Sequence, residues 1–389
     1  LTAEGFAGDA RFGLAVAYGR VDFPYILFIS LVALFSGVLN AAGRFAAAAA
    51  APVLLNLVMI AAMAAAALAG GAVVEALVWS VPVAGLAQLA LVWIAARRAG
   101  LGLRLVRPRW TPEMRQLLRI AVPAALAGGV VQINLVVGQL VASQYDKAVS
   151  WLYSADRLYQ LPLGVVGIAV GIVLLPDLSR RLKAGDDAGA RMALSRAGEV
   201  ALALTLPCAV ALVVIPLPLV SVLFERGAFG ADDTAATALA VAVYGLGLPA
   251  FVLQKILQPV FFAREDTKSP FRYAVWAMVV NAALAFGLAG ALGWIAAALA
   301  TTAAAWVMVA QLMLGARGYG DVARFDAQFH RRLWRIALAS GVMGAVLWGA
   351  GVALGPLLAL GGWRWLALLA LIGAGALSYG VAGQALGAF

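Results

Sequence analysis

Apolar runs of about 20 residues, the length a helix needs to cross the hydrocarbon core of a membrane, recur along almost the whole chain. Eleven such spans are read near 23–43, 51–70, 73–96, 117–143, 149–176, 198–223, 236–262, 271–290, 293–315, 333–355 and 363–386. With 64% of its 389 residues hydrophobic and 12% charged, the chain exceeds the apolar share of an ordinary soluble domain. The fold class that follows is an all-α polytopic membrane protein, since only helices and closed barrels satisfy their backbone groups in lipid.

The net charge of +10 would suggest nucleic acid in a soluble protein, but here the placement of the charges decides. Of the 28 Lys and Arg, 21 fall in one set of alternate loops, among them Arg97, Arg98, Arg180, Arg181, Arg191, Arg196, Arg264, Arg331 and Arg332. Five fall in the other set: Arg11, Arg20, Lys147, Arg226 and Arg364. The positive-inside rule places the first set in the cytoplasm of a bacterial inner-membrane protein, with residue 1 outside and the C-terminus inside. The basic balance thus records topology and affinity for membrane lipids, and no nucleic-acid partner is expected. The single Cys208 excludes a disulfide framework and reads as a packed thiol, and the single His330 excludes a histidine pair for zinc. No metal site and no cofactor are expected, and no coupling ion is identified.

Residues 1–22 carry no signal-peptide pattern, and the chain reads as one that begins in mid-protein. A weak internal repeat points the same way. Arg44 and Pro52 recur as Arg264 and Pro270, the small-residue stretch Ala76 to Ser80 as Ala298 to Thr302, and Gln88 as Gln311, all at offsets of 218 to 223. Such agreement suggests two parallel halves, a common transporter plan. Extending the repeat backwards predicts three further spans before residue 1, and fourteen helices in all. The expected organisation is therefore 1–110 as the last three helices of one six-helix lobe, 111–320 as a second six-helix lobe, and 321–389 as two extra helices.

Ionisable groups inside a span cost about 2.5–3.5 kcal/mol each on insertion scales, so they normally face a cavity or a partner. Tyr153, Arg157, Gln160, Gly164, Gly167 and Gly171 follow one another at spacings of three or four, on one helical stripe. Asp156 sits beside Arg157 and offers the alternative that the pair is merely neutralised. Pro162 removes a backbone donor and marks a hinge, and the glycines Gly164 and Gly167 admit close approach. A second stripe holds Tyr244, Gly247, Phe251, Lys255 and Gln258, with a snorkelling Lys255 as the alternative. Gln132 and Asn134 add amides in 117–143 that either line a site or join helices. Excess cation with few carboxylates argues for an anionic ligand, most simply a phosphate or diphosphate. The acidic turn holding Glu225, Asp232 and Asp233 reads as solvated.

The chain has no phosphate-binding GxxxxGK[ST] loop, no HExxH and no GxSxG elbow, so neither ATP hydrolysis nor familiar hydrolytic chemistry is encoded. We expect a transporter rather than an enzyme.

Four stretches carry a resemblance to a known family: "SWLYSADRLYQLPLGVVGIAVGIVLLPDLSRRLKAG" (150–185), "FPYILFISLVALFSGVLNAAGRFAAAAAAPVLLN" (23–56), "LFERGAFGADDT" (223–234) and "KILQPVFFAREDTKSP" (255–270). Together they resemble the bacterial lipid II flippases, the MurJ or MviN family of the multidrug/oligosaccharidyl-lipid/polysaccharide exporter superfamily. The resemblance implies two six-helix lobes around a cationic cavity, with a groove for the polyprenyl tail on the last two helices. It implies lipid II as the substrate, moved from the inner to the outer leaflet by alternating access, and Arg157 as a cavity arginine whose companions belong to helices preceding residue 1. The family often carries Glu where Gln160 stands, which leaves that position a hydrogen-bonding role. Asn281, followed by Ala285, does not supply the acids of a sodium-coupled design. The expected substrate-binding set is Arg157, Gln160, Asp156, Lys255, Tyr153, Gln132 and Asn134, in a monomer. The alternatives are an exporter of another polyprenyl-linked glycan or of amphipathic drugs and, from another class, a membrane glycosyltransferase.

Overall fold

The structure, a computed structural model, describes residues 10–101, 110–112, 114–116, 132, 135–360 and 362–388. They divide into two compact units, Phe6–Leu118 and Arg119–Phe389. Among the described residues, eight segments are long and apolar enough to cross a membrane, and two of them, Phe12–Ala41 and Lys268–Gly320, hold more than one helix.

The first unit contains α1 (Ala10–Asp22), α2 (Pro24–Ala41), α3 (Ala46–Leu68) and α4 (Val73–Arg98). Sequence reading began the first span at residue 23, yet α1 and α2 together form one apolar segment from Phe12 to Ala41. Pro24 stands in the first turn of α2, where its missing N–H costs nothing. The third helix of the unit's main trio, α4, packs against both α2 and α3, which touch each other far less. Gln88 on α4 is buried; its Nε2 donates to Ala51 O at 2.8 Å, and Tyr25 Oη donates to its Oε1 at 3.3 Å.

The second unit contains α5 (Ala148–Lys183), α6 (Asp187–Val214), α7 (Pro216–Phe224), α8 (Ala231–Phe262), α9 (Lys268–Leu292), α10 (Ala296–Ala316), α11 (Ala327–Ala359) and α12 (Arg364–Ala385), after a helical stretch at 135–143. The trio α8, α9 and α10 repeats the pattern of α2, α3 and α4: α10 packs on both α8 and α9, which scarcely meet. The repeat read from sequence landmarks is thus a repeat of packing. Its copies have diverged, because Ser80 Oγ donates to Leu77 O within α4, whereas Thr302 Oγ1 donates across to Val243 O on α8 at 3.0 Å.

Helix α8 is the hub of this unit, packing against α5, α6, α7 and α10. Its sequence explains the role, because Ala, Gly and Thr recur on several faces and let neighbours come close. A Cβ at Gly245 would lie 3.0 Å from the Leu212 side chain, and one at Gly247 would lie 3.0 Å from Thr302 Oγ1.

Two expectations change. The span 198–223 is two helices, α6 and α7, broken at Ile215 (φ −122, ψ 41). A residue before proline is driven out of the helical region, and Pro216 then starts the next helix. Span ends also extend past the apolar runs: α5 continues to Lys183, and α6 starts at Asp187 because the Asp186 carboxylate accepts from Gly189 N at 2.8 Å.

Candidate functional site

The stripe read from sequence lies on one face of α5. Leu152, Ala155 and Leu158 on the opposite face are buried, whereas Tyr153, Arg157, Gln160 and Gly164 are all exposed within their unit. A Cβ at Gly164 would meet nothing within 4 Å, so among the described residues nothing presses on that position. Pro162 stands within an unbroken helix, and Gly167 is helical as well.

Asp156 and Arg157 take different hydrogen-bond partners, although the two charges still act on each other. Arg157 places its guanidinium carbon 4.5 Å from the centre of the Tyr153 ring and donates to the Tyr153 hydroxyl. Asp156 accepts from Gln160 Nε2 instead. The side chains at i and i+4 therefore pair along the helix, and Arg157 makes no ion pair with a carboxylate among the described residues. Its charge is oriented by a neutral aromatic partner, as a cation–π contact allows.

Behind the stripe, Tyr159 turns inward. Its ring stacks on Phe251 at 5.3 Å and meets Tyr244 at 5.1 Å, which seats α5 on α8 beneath Asp156 and Gln160. The spacing argument missed Tyr159 because it falls between stripe positions; the aromatics of the α8 stripe were the available signal. From that second stripe, Tyr244 is buried and Gly247 lies against α10, so both serve packing. Lys255 is exposed and, among the described residues, forms no hydrogen bond or ion pair. Gln132 is helical and exposed, and Asn134 lies outside the described residues.

Three polar joints were not legible. The acidic turn is not simply solvated: Asp233 is buried, and it accepts from Trp151 Nε1 at 2.8 Å, from Lys147 Nζ at 3.2 Å and from Gly230 N at 3.0 Å. It is a clasp between α5 and α8, while Asp232 is exposed. Glu225 lies 3.7 Å from Arg364 Nη2, joining the start of α12 to the end of α7.

At the opposite ends of the helices, Glu199 is buried and its Oε2 accepts from Arg196 Nη1 at 2.6 Å and Arg332 Nη1 at 2.9 Å. Beside it, Ser195 Oγ accepts from Asp326 N at 3.0 Å, and the Phe325 and Phe329 rings stack at 4.0 Å against Gly198. The third joint is in the loop between α8 and α9. Asp266 Oδ1 accepts from Lys268 N and Ser269 N, and Oδ2 from Tyr319 Oη at 2.6 Å. These donors hold its carboxyl down at about 2, with the Tyr319 hydroxyl the largest cause.

The membrane-length apolar helices and the repeated trio define an all-helical, multi-pass membrane protein. Comparison with known proteins makes that specific. The sequence profile described as "Lipid II flippase MurJ" matches residues 1–369. "Probable lipid II flippase MurJ" of Rhizobium tropici is 48% identical over 349 residues, covering 89% of this chain, and its namesake from Rhizobium meliloti (strain 1021) is 44% identical over 354 residues, covering 90%. The chain belongs to the lipid II flippase MurJ family. It spans 65% and 66% of the length of those two relatives. The fold resembles a solved structure titled "Lipid II flippase MurJ, inward closed conformation", with a TM-score of 0.78 at 24% identity, covering 95% of this chain and 74% of that one.

Proposed function

We propose that the chain works in moving lipid II, the polyprenyl-diphosphate-linked peptidoglycan precursor, from the inner to the outer leaflet of the bacterial inner membrane by alternating access. The observation that carries this reading is Arg157: a guanidinium on the 36-residue helix α5, without a salt bridge to a carboxylate among the described residues, on a face that the described residues of its unit leave exposed. Facing lipid, such a charge would cost several kcal/mol; facing a polar cavity, it can take a diphosphate. The names of the relatives supply lipid II as the anion.

In this mechanism Arg157 holds the headgroup, Tyr153 aims the guanidinium, and Gln160 and Asp156 bond the sugar or peptide. Lys255, Gln132 and Asn134 complete the polar lining. Pro162, Gly164 and Gly167 let α5 bend between states, and residues 321–389 carry the lipid tail. No covalent step is involved. Differential affinity for the headgroup in the inward and outward states drives the cycle, so binding in each must be weak enough to release. The chain acts as a monomer, with its arginine-rich loops in the cytoplasm.

Complementation of a conditional flippase mutant, with the leaflet position of lipid II scored, tests the reading. Wild type restores growth and outer-leaflet lipid II; Arg157→Ala does neither. Growth restored while lipid II stays inside would overturn it.

A further inference from the structure

Tyr159 lies one residue before Gln160, on the side of α5 that packs against α8. Its ring is held on two sides, stacked on Phe251 with the planes 23° apart and met by the buried Tyr244. Room for the Phe251 ring is kept by Gly247, where a Cβ would lie 3.0 Å from it. Packing of this kind requires only a ring, and Phe would serve. The hydroxyl has a different task, because a phenol enclosed between helices needs a polar partner.

That partner is the carboxylate of Asp156, three residues earlier on the same helix. Asp156 accepts from Gln160 Nε2 as well, and its charge reaches the Tyr244 hydroxyl on α8. The carboxylate is thus half-buried on the α8 side of the stripe, while Arg157 is exposed, with its guanidinium over Tyr153. The two opposite charges act on each other, yet among the described residues no salt bridge joins them. Neighbours at i and i+1 point to different sides of a helix, so Asp156 meets Arg157 only by leaving its present rotamer. A carboxylate that did so would occupy the guanidinium and repel an incoming phosphate.

We propose that Tyr159 is a positioning residue: its hydroxyl, with the Gln160 amide, holds the Asp156 carboxylate to the α8 side of the stripe and leaves the Arg157 guanidinium to an anionic ligand. That the ligand is the diphosphate of lipid II rests on the function proposed above; the restraint on Asp156 does not. The aromatic cluster between α5 and α8 then serves the site as well as the packing, since it fixes the ring that carries the hydroxyl.

Two readouts on the purified chain test this. Modification of Arg157 by phenylglyoxal, followed by peptide mass spectrometry, reports how available the guanidinium is and needs no lipid. Tyr159→Phe keeps the stacked ring, so Tm is unchanged, but Arg157 is modified about threefold more slowly. Lipid II binds about threefold more weakly, part of the tenfold expected for losing a charge-assisted bond outright. In an Asp156→Asn background Tyr159→Phe changes neither readout, because no carboxylate remains to engage Arg157. Unchanged labelling in Tyr159→Phe, or an equal effect of Tyr159→Phe in both backgrounds, would overturn the proposal and leave the flippase reading standing. Labelling that responds as expected, while lipid II binding is indifferent to Arg157→Ala, would support the positioning role and overturn the flippase reading instead.

Discussion

Arg157 sits over the ring of Tyr153, one turn earlier on α5, and donates to its hydroxyl. A flexible guanidinium is thereby held in one orientation on an otherwise open face. Tyr153→Phe keeps the ring and loses the acceptor, so lipid II transport falls by about tenfold, as for a hydrogen bond to a charged group. Tyr153→Ala loses both, and its transport rate falls further. Rates measured in vesicles check the order wild type, Phe, Ala; an Ala form as fast as wild type would remove Tyr153 from the site.

Glu199→Ala leaves Arg196 and Arg332 without their shared acceptor. A broken buried pair costs about 3–5 kcal/mol, but both arginines are a third or more exposed, so roughly 2 kcal/mol is expected. A lowered Tm of the purified chain is the readout, and headgroup binding at Arg157 is unaffected.

The carboxyl of Asp266 is held at about 2, below its ordinary 3.8. A depressed folded-state pKa contributes stability above the unfolded value, lost as pH falls through the folded one. Wild type thus melts above Asp266→Asn at neutral pH, and the gap narrows between about pH 4 and pH 2. A gap independent of pH would assign the effect to something other than ionisation.

Asp233→Ala removes the acceptor for Trp151 Nε1 and Lys147 Nζ and the contact to Gly230 N at the start of α8. Loss of a helix-start acceptor costs about 1 kcal/mol. Lower Tm with a shifted Trp151 emission is expected; Asp232→Ala, at an exposed position, changes neither.

The sequence disclosed the membrane helices because the hydrocarbon core demands long apolar runs, and it disclosed the α5 stripe because 3.6 residues per turn place Tyr153, Arg157 and Gln160 together. Tyr159 was missed since its partners, Tyr244 and Phe251, lie on a helix about 90 residues away. Asp233 was read as part of a solvated turn and Glu199 was not singled out, for the same reason. Trp151 precedes Asp233 by 82 residues and Arg332 follows Glu199 by 133, and no local pattern announces such pairs. The Ile215 break was written in Pro216, but within an apolar run length outweighed it.

The central claim is that Arg157 holds the diphosphate of lipid II. Equilibrium binding of lipid II to wild type, Arg157→Lys and Arg157→Ala tests it most directly. The account predicts affinity at least about tenfold weaker in the Ala form, as expected for losing a charge-assisted hydrogen bond, with Lys intermediate because it keeps the charge without the bidentate fork. Equal affinity in wild type and Arg157→Ala would contradict it.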